Sequence, residues 1–238
     1  YRLEDSLQNY DTRRNRFFIA PTVSWQVSDR TDLTINLEYV EDNNPAEFGT
    51  VLFGEGDTVI PFERVINNPD DTINREYLRA GYTLEHRFSE NWQVRNQISY
   101  ISDRYDYSVI ALPYALDDAT GTLARAFVDQ FTDDDLYALY TNVQGEFNTG
   151  PVAHTLLFGV DWVREESQSI TRFDFGPGLI GTLNIFNPDY TALPKPDAAS
   201  IPVAPQSSFN STDRVGIYIH DQIDILDNLI LVAWLRYD

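Results

Sequence analysis

Residues 17–40, FFIAPTVSWQVSDRTDLTINLEYV, carry the pattern on which the fold reading rests. Phe17, Ile19, Pro21, Val23, Trp25 and Val27 fall on one side of an extended chain. Phe18, Ala20, Thr22, Ser24 and Gln26 fall on the other. Successive side chains of a strand point to opposite faces, so the alternation predicts a strand with one greasy and one wetter face. Residues 28–32, SDRTD, then supply the polar types that tight turns demand. Leu33, Ile35, Leu37 and Tyr39 resume the alternation against Thr34, Asn36 and Glu38. The stretch reads as a β-hairpin.

The same period recurs along the chain. Leu78, Ala80, Tyr82, Leu84 and Phe88 oppose Arg79, Thr83, Glu85 and Arg87; Trp92, Val94, Ile98 and Tyr100 oppose Gln93, Arg95, Gln97 and Ser99. Further greasy rows are Tyr137, Leu139, Val143 and Phe147, then Leu156, Phe158, Val160 and Trp162, then Val215, Ile217, Ile219, Ile223 and Ile225. Residues 229–238 are apolar on both sides. Nine strands are expected, at about 1–8, 15–28, 32–42, 75–89, 92–106, 121–147, 153–172, 212–225 and 228–238. Short turns at 28–32, 89–91, 148–152 and 226–228 alternate with long links at 8–15, 42–75, 103–122 and 173–212. An up-and-down barrel in an outer membrane has short turns on the periplasmic side and long loops outside. A β-sandwich has no reason to sort its loops by parity.

Composition fits. The chain of 238 residues has 14 Tyr, 14 Phe and 4 Trp, yet no apolar run approaches the ~20 residues of a transmembrane helix. Trp25, Tyr39, Phe88, Trp92, Phe147, Trp162 and Tyr237 sit near strand ends, as an interfacial girdle requires. The formal net charge of -20 argues against nucleic acid as a partner, because phosphate binding needs a basic surface. The acidity reads either as loop solubility or as a mouth that attracts cations. There is no Cys, which excludes a disulfide framework and a thiolate site. His86, His154 and His220 have no partners at metal-ligand spacing in the sequence, so no metal site is expected. Asp117-Asp118 and Asp133-Asp134-Asp135 lack EF-hand spacing and read as solvated loop. Nothing calls for a cofactor. Nine is an odd number where single-chain bacterial barrels use even ones. Residues 1–238 are therefore expected to be a partial outer-membrane β-barrel domain.

Several words along these strands resemble the TonB-dependent siderophore receptors. Phe18-Ile19-Ala20-Pro21-Thr22-Val23-Ser24-Trp25 with Asp32-Leu33-Thr34 is similar to an early hairpin of that family. Phe147-Asn148-Thr149-Gly150, then His154-Thr155-Leu156-Leu157-Phe158-Gly159-Val160-Asp161, is similar to a later one. Val215 to Ile223, then Leu226-Asp227-Asn228-Leu229 and Leu235-Arg236-Tyr237-Asp238, follow the family's order, and Tyr1-Arg2-Leu3 resembles the strand after its plug. The hydroxamate, ferrichrome-type branch looks nearest. His220 stands where the family usually has Gln, and Trp234 where a small residue is usual; a bulky ring there would alter packing against the plug. The resemblance implies a 22-stranded barrel with an N-terminal plug, importing ferric siderophores with energy from an inner-membrane complex. This chain would lack the plug and the C-terminal strands, and no covalent chemistry is implied.

Loop aromatics are the candidate ligand contacts, because a ferric siderophore is a compact, partly apolar chelate. They are Phe48, Phe53 and Phe62 in one link, Tyr105, Tyr107 and Tyr114 in the next, and Phe173 and Phe175 in a third, with Phe186 and Tyr190 beside them. Lumen-facing Arg79, Arg87 and Arg95 are expected to pair with plug or wall carboxylates. Two other classes compete. A small outer-membrane protease or lipase would need a catalytic His at the outer rim, but His86 and His154 lie beside short turns. A soluble β-sandwich binding module would fold without detergent.

Overall fold

The computed structural model describes residues 2–6, 13–46, 52–53, 58–61, 64–173, 180–192, 194–204 and 207–238. Its strands are β1 (Arg2–Ser6), β2 (Arg13–Ile19), β3 (Thr22–Ser28), β4 (Thr31–Pro45), β5 (Leu52–Phe53), β6 (Thr58–Val59) and β7 (Thr72–Arg87). Then come β8 (Trp92–Asp117), β9 (Thr122–Thr149), β10 (Val152–Phe173), β11 (Ile180–Asn184), β12 (Ser208–Leu226) and β13 (Leu229–Tyr237). One antiparallel sheet runs β1-β2-β4-β7-β8-β9-β10-β12-β13, with β3 also on β4 and β11 also on β9. β5 and β6 pair separately.

The expected strand 15–28 is β2 and β3 together. Ile19 pairs with Tyr39 and Thr22 with Asn36, so the register against β4 is unbroken across Pro21. Proline has no N–H to give the ladder, but its carbonyl still accepts from Leu37 N at 3.1 Å. With that strand counted once, the path has nine strands in the expected order. The short turns between β3 and β4, β7 and β8, β9 and β10, and β12 and β13 share one end of the sheet.

One link departs from expectation. Residues 103–122 are not an irregular loop: β8 continues to Asp117 and turns at 118–121 into β9. Extra residues between Tyr107 and Ile110 and between Pro113 and Ala115 shift the register there. Ser102, Arg104 and Asp106 replace the greasy row after Tyr100, and each bulge beyond then inverts the alternation; together these hid the strand from a period-two reading. Tyr105, Tyr107 and Tyr114 are therefore strand residues. The long links between β4 and β7 and between β10 and β12 leave and re-enter the sheet at its same end, and their described residues carry β5–β6 and β11.

The two faces differ as lipid and water require. Val23, Trp25, Ile35, Leu37, Ile98, Phe158, Val160, Val215, Ile217 and Ile219 form a broad exposed apolar face. Aromatic rows bound it. Toward the short turns, Trp92 stacks on Phe147 at 6.4 Å and Phe147 on His154 at 4.8 Å, while His86 meets Phe88 edge-on at 5.0 Å. Toward the long links, Phe17 lies 6.1 Å from Tyr39 and Tyr100 lies 5.0 Å from Tyr137. Trp162 Nε1 there donates to Asp213 at 3.2 Å. Both Trp92 to Tyr100 and His154 to Trp162 are eight-residue steps. At about 3.3 Å per residue and a tilt of about 40°, that is about 20 Å along the membrane normal, close to the apolar height of such barrels. A Cβ on Gly145 would lie 2.3 Å from the Trp92 ring, so glycine lets that indole lie flat in the lower row. On the opposite face, Arg95 pairs with Glu85 and Arg87 with Asp32, each at 3.3 Å, so these two arginines do meet wall carboxylates.

Phe158 lies midway between the rows. Phe158→Arg is expected to destabilise the folded barrel in lipid vesicles by about 2–4 kcal/mol, read by denaturant titration. Gln168→Arg, on the same side of β10 above the upper row, is expected to change stability by less than about 0.5 kcal/mol. Equal losses at both positions would contradict the assigned band.

Candidate functional site

Above the upper aromatic row, the inward face carries a charged and aromatic rung. Arg16, Asp42, Arg75, Tyr105 and Thr132 are successive register partners across β2, β4, β7, β8 and β9. Arg16 donates from Nε and Nη2 to Asp42 at 2.5 and 2.6 Å. Arg75 donates from Nε and Nη2 to Asp103, one rung lower, at 2.8 Å each. The Arg75 guanidinium also lies 5.1 Å from the Tyr105 ring centroid and 5.3 Å from that of Tyr77. A bidentate fork fixes the guanidinium plane, and the plane in turn fixes the rings stacked against it. The Asp103 hydrogen bonds raise the Arg75 pKa, so its charge is permanent. Burial, with Asp103 next, raises the Tyr105 phenol above its ordinary value and keeps it a neutral hydrogen-bonding group. Such a rim can offer aromatic surface and fixed donors to a ligand without reacting with it.

The expected contact residues separate. Tyr105 and Tyr107 share the inward face of β8 beside this rung. Phe173 ends β10 opposite Val128, which is also the partner of Ile110. Tyr114 sits in the second register shift, away from the rung. Phe53 belongs to the β5–β6 hairpin, where it pairs with Thr58. Phe48, Phe62 and Phe175 lie outside the described residues. Phe186 and Tyr190 hold loops together: the Phe186 ring covers Gly121, whose φ is +66°, and Tyr190 Oη donates to Val65 O at 2.7 Å.

Sequence reasoning passed over Arg16, Asp42, Arg75 and Asp103. Arg75 has the parity of Arg79 and Arg87, so carrying the alternation of β7 four residues further would have found it. It also found no partner for His154. The structure supplies one 67 residues away: Nδ1 lies 2.9 Å from Asp221 Oδ2, and Nε2 lies 2.7 Å from Thr149 Oγ1. Further down the inward face, Tyr140, Leu157, Tyr218, His220, Trp234 and Arg236 border a groove of about 490 Å³. Trp234 is 74% exposed and pairs with His220 on this side.

An antiparallel wall with a lipid-height apolar band, a charged inner face and long links at one end is the class of an outer-membrane β-barrel. The sequence profile described as TonB dependent receptor-like, beta-barrel matches residues 24–238, and the chain belongs to that family. It is a family of outer-membrane receptors and not of enzymes. The ferrichrome outer membrane transporter/phage receptor of Escherichia coli (strain K12) is 27% identical over 97% of this chain and 34% of its own length. The ferrioxamine B receptor of Salmonella typhimurium (strain SL1344) is 24% identical over 89% of this chain and 29% of its own. The chain thus spans about a third of the length of these relatives. Among solved structures, the open form of the ferric-catecholate import receptor Fiu from E. coli K12 superposes with a TM-score of 0.73. It covers 99% of this chain and 38% of that one at 17% identity, a likeness of fold.

His154 and Asp221 tie β10 to β12 near the short-turn end. A double-mutant cycle with His154→Ala and Asp221→Asn, read by denaturant unfolding in vesicles, is expected to give a coupling on the order of 1 kcal/mol. Strict additivity would show that the contact does not couple the strands.

Proposed function

We propose that this chain forms part of the wall of a receptor that takes up ferric siderophores of the ferrichrome or hydroxamate type. The wall would belong to a larger, 22-stranded barrel. The plug and the remaining strands would lie in the rest of a protein as long as its relatives. An inner-membrane complex would drive passage by acting on the plug, and the inward face of this wall would border the path. The observation that carries the reading is the rung Arg16–Asp42–Arg75–Tyr105 at the long-link end of the lumen. It presents aromatic surface and permanently charged donors to a compact chelate whose metal is already coordinated. Affinity would come from ring contact and hydrogen bonds, and uptake from gated release, with no bond made or broken.

The test uses the intact receptor. Tyr105→Ala and Arg75→Ala are each expected to weaken ferric-siderophore binding about 5- to 50-fold, measured by ligand-induced fluorescence change. Arg75→Lys is expected to behave like Arg75→Ala, because an ammonium cannot make the bidentate fork. Wild-type affinity in all three variants would contradict the assignment of the rim.

A further inference from the structure

The part of β8 and β9 above the band is covered by described segments of two links, residues 60–61 and 64–71 of the first and 185–192 and 194–204 of the second. They are welded to the hairpin and to each other. Ile60 and Ile66 from the first pack with Leu123 of β9 and with Leu183 and Ile185. Ile201 from the second packs with Val109, Ala111 and Phe127. Arg64 donates to Ile185 O, and Tyr190 donates to Val65 O.

Asp71 is the point where these segments meet. It is 1% exposed. Its Oδ2 accepts from Asn68 N at 2.9 Å and Asn67 Nδ2 at 3.1 Å, both in its own link. The same oxygen accepts from Ala111 N of β8 at 3.0 Å. Lys195 Nζ of the second link lies 2.7 Å from Oδ1, a contact made by charge and not by an aligned hydrogen bond. Buried Arg125 of β9 reaches the same link, donating from Nη1 to Asn68 Oδ1 at 2.9 Å and Asn67 O at 3.2 Å.

The contact with Ala111 falls beside the first register shift of β8. Tyr107 pairs with Gln130 but Ile110 with Val128, so β8 carries one extra residue. Val109 within that bulge has φ +44°. A β-branched side chain disfavours that conformation, and it persists only where neighbours over-determine it. Here those neighbours are Phe127 and Ile201 around the side chain, with Asp71 holding the amide two residues on. The bulge lies two residues from Tyr107.

We propose that Asp71 is the positioning residue of the rim: one buried carboxylate holds the strained bulge beside Tyr107 and joins residues 64–71, 109–111 and 195–204 into one cooperative unit. The functional part of this statement rests on the reading that Tyr105 and Tyr107 meet the ligand. The mechanical part does not. Removing the carboxylate frees Ala111 N, leaves Lys195 only the more exposed Asp70, and leaves Asn67 and Asn68 without their shared acceptor. A local change in one link then reaches three segments at once.

Hydrogen exchange on the full-length receptor tests this, with exchange in residues 152–162 reporting that the barrel is intact. Asp71→Ala is expected to raise exchange at least about tenfold in 64–71, 109–111 and 195–204 together. It is also expected to speed dissociation of the ferric siderophore. Lys195→Met is expected to raise exchange in 195–204 alone. Asp71→Asn, which fills the same space and keeps an acceptor for the amides, is expected to match Lys195→Met, and it decides the question should Asp71→Ala not assemble. A rise confined to 64–71 in Asp71→Ala, or wild-type exchange throughout in Asp71→Asn, would overturn the proposal. If the wild-type receptor retains no ferric siderophore, the functional reading fails while the exchange pattern still decides the role of Asp71.

Discussion

The structure depends on one constraint: where strands cross lipid, every backbone N–H and C=O must find a partner in the next strand. No water is present to substitute, and each unpaired group costs several kcal/mol. β4, β7, β8, β9, β10 and β12 satisfy it with continuous ladders through the apolar band. Once the ladder is fixed, the faces follow. Every second side chain meets lipid, which selects Val, Ile, Leu and Phe there, and the others meet the lumen. Even Pro21 obeys, since the register against β4 continues through it.

Above the upper aromatic row the ladder continues but the solvent changes, and so do the side chains. On the lipid side of the strands, Tyr100 Oη donates to Asp135 at 2.7 Å and Arg104 Nε to Asp133 at 3.0 Å. On the other side stands the Arg16–Asp42–Arg75–Tyr105 rung. Higher still, bulges become tolerable, because water or loop groups can take up the freed amides. The register shift at Val109 is of this kind, and the amide of Ala111 beside it is taken by Asp71. Rim and covering links therefore share a buried polar network, which ordinary loop packing would not give them.

Much of this was legible in the sequence. The alternation from Phe17 to Val27 and from Leu156 to Trp162 gave the strands and their lipid side, and the polar clusters between them gave the turns. What stayed hidden was of two kinds. Alternation is a local signal: in β8 the greasy row stops at Tyr100, because Ser102, Arg104 and Asp106 follow on the same side, so Tyr105 and Tyr107 read as loop, and the two bulges beyond Tyr107 then inverted the pattern. Partnerships between distant residues have no local signal. Nothing near His154 points to Asp221, and nothing near Asp71 points to Ala111 or Lys195. Nor does anything local point from Phe186 to Gly121 or from Tyr190 to Val65, because aromatic rings in a long link have the same composition whether they face a ligand or pack the link.

Spin labels placed one at a time at residues 154–164 of the intact receptor in lipid vesicles would test the central claim most directly. Collision rates with oxygen, which concentrates in lipid, and with a water-soluble nickel chelate should alternate residue by residue. Even positions should favour oxygen up to Trp162, with the preference lost at Arg164. Labels whose two collision rates rise and fall every three to four residues, or that show no difference between even and odd positions, would contradict the account.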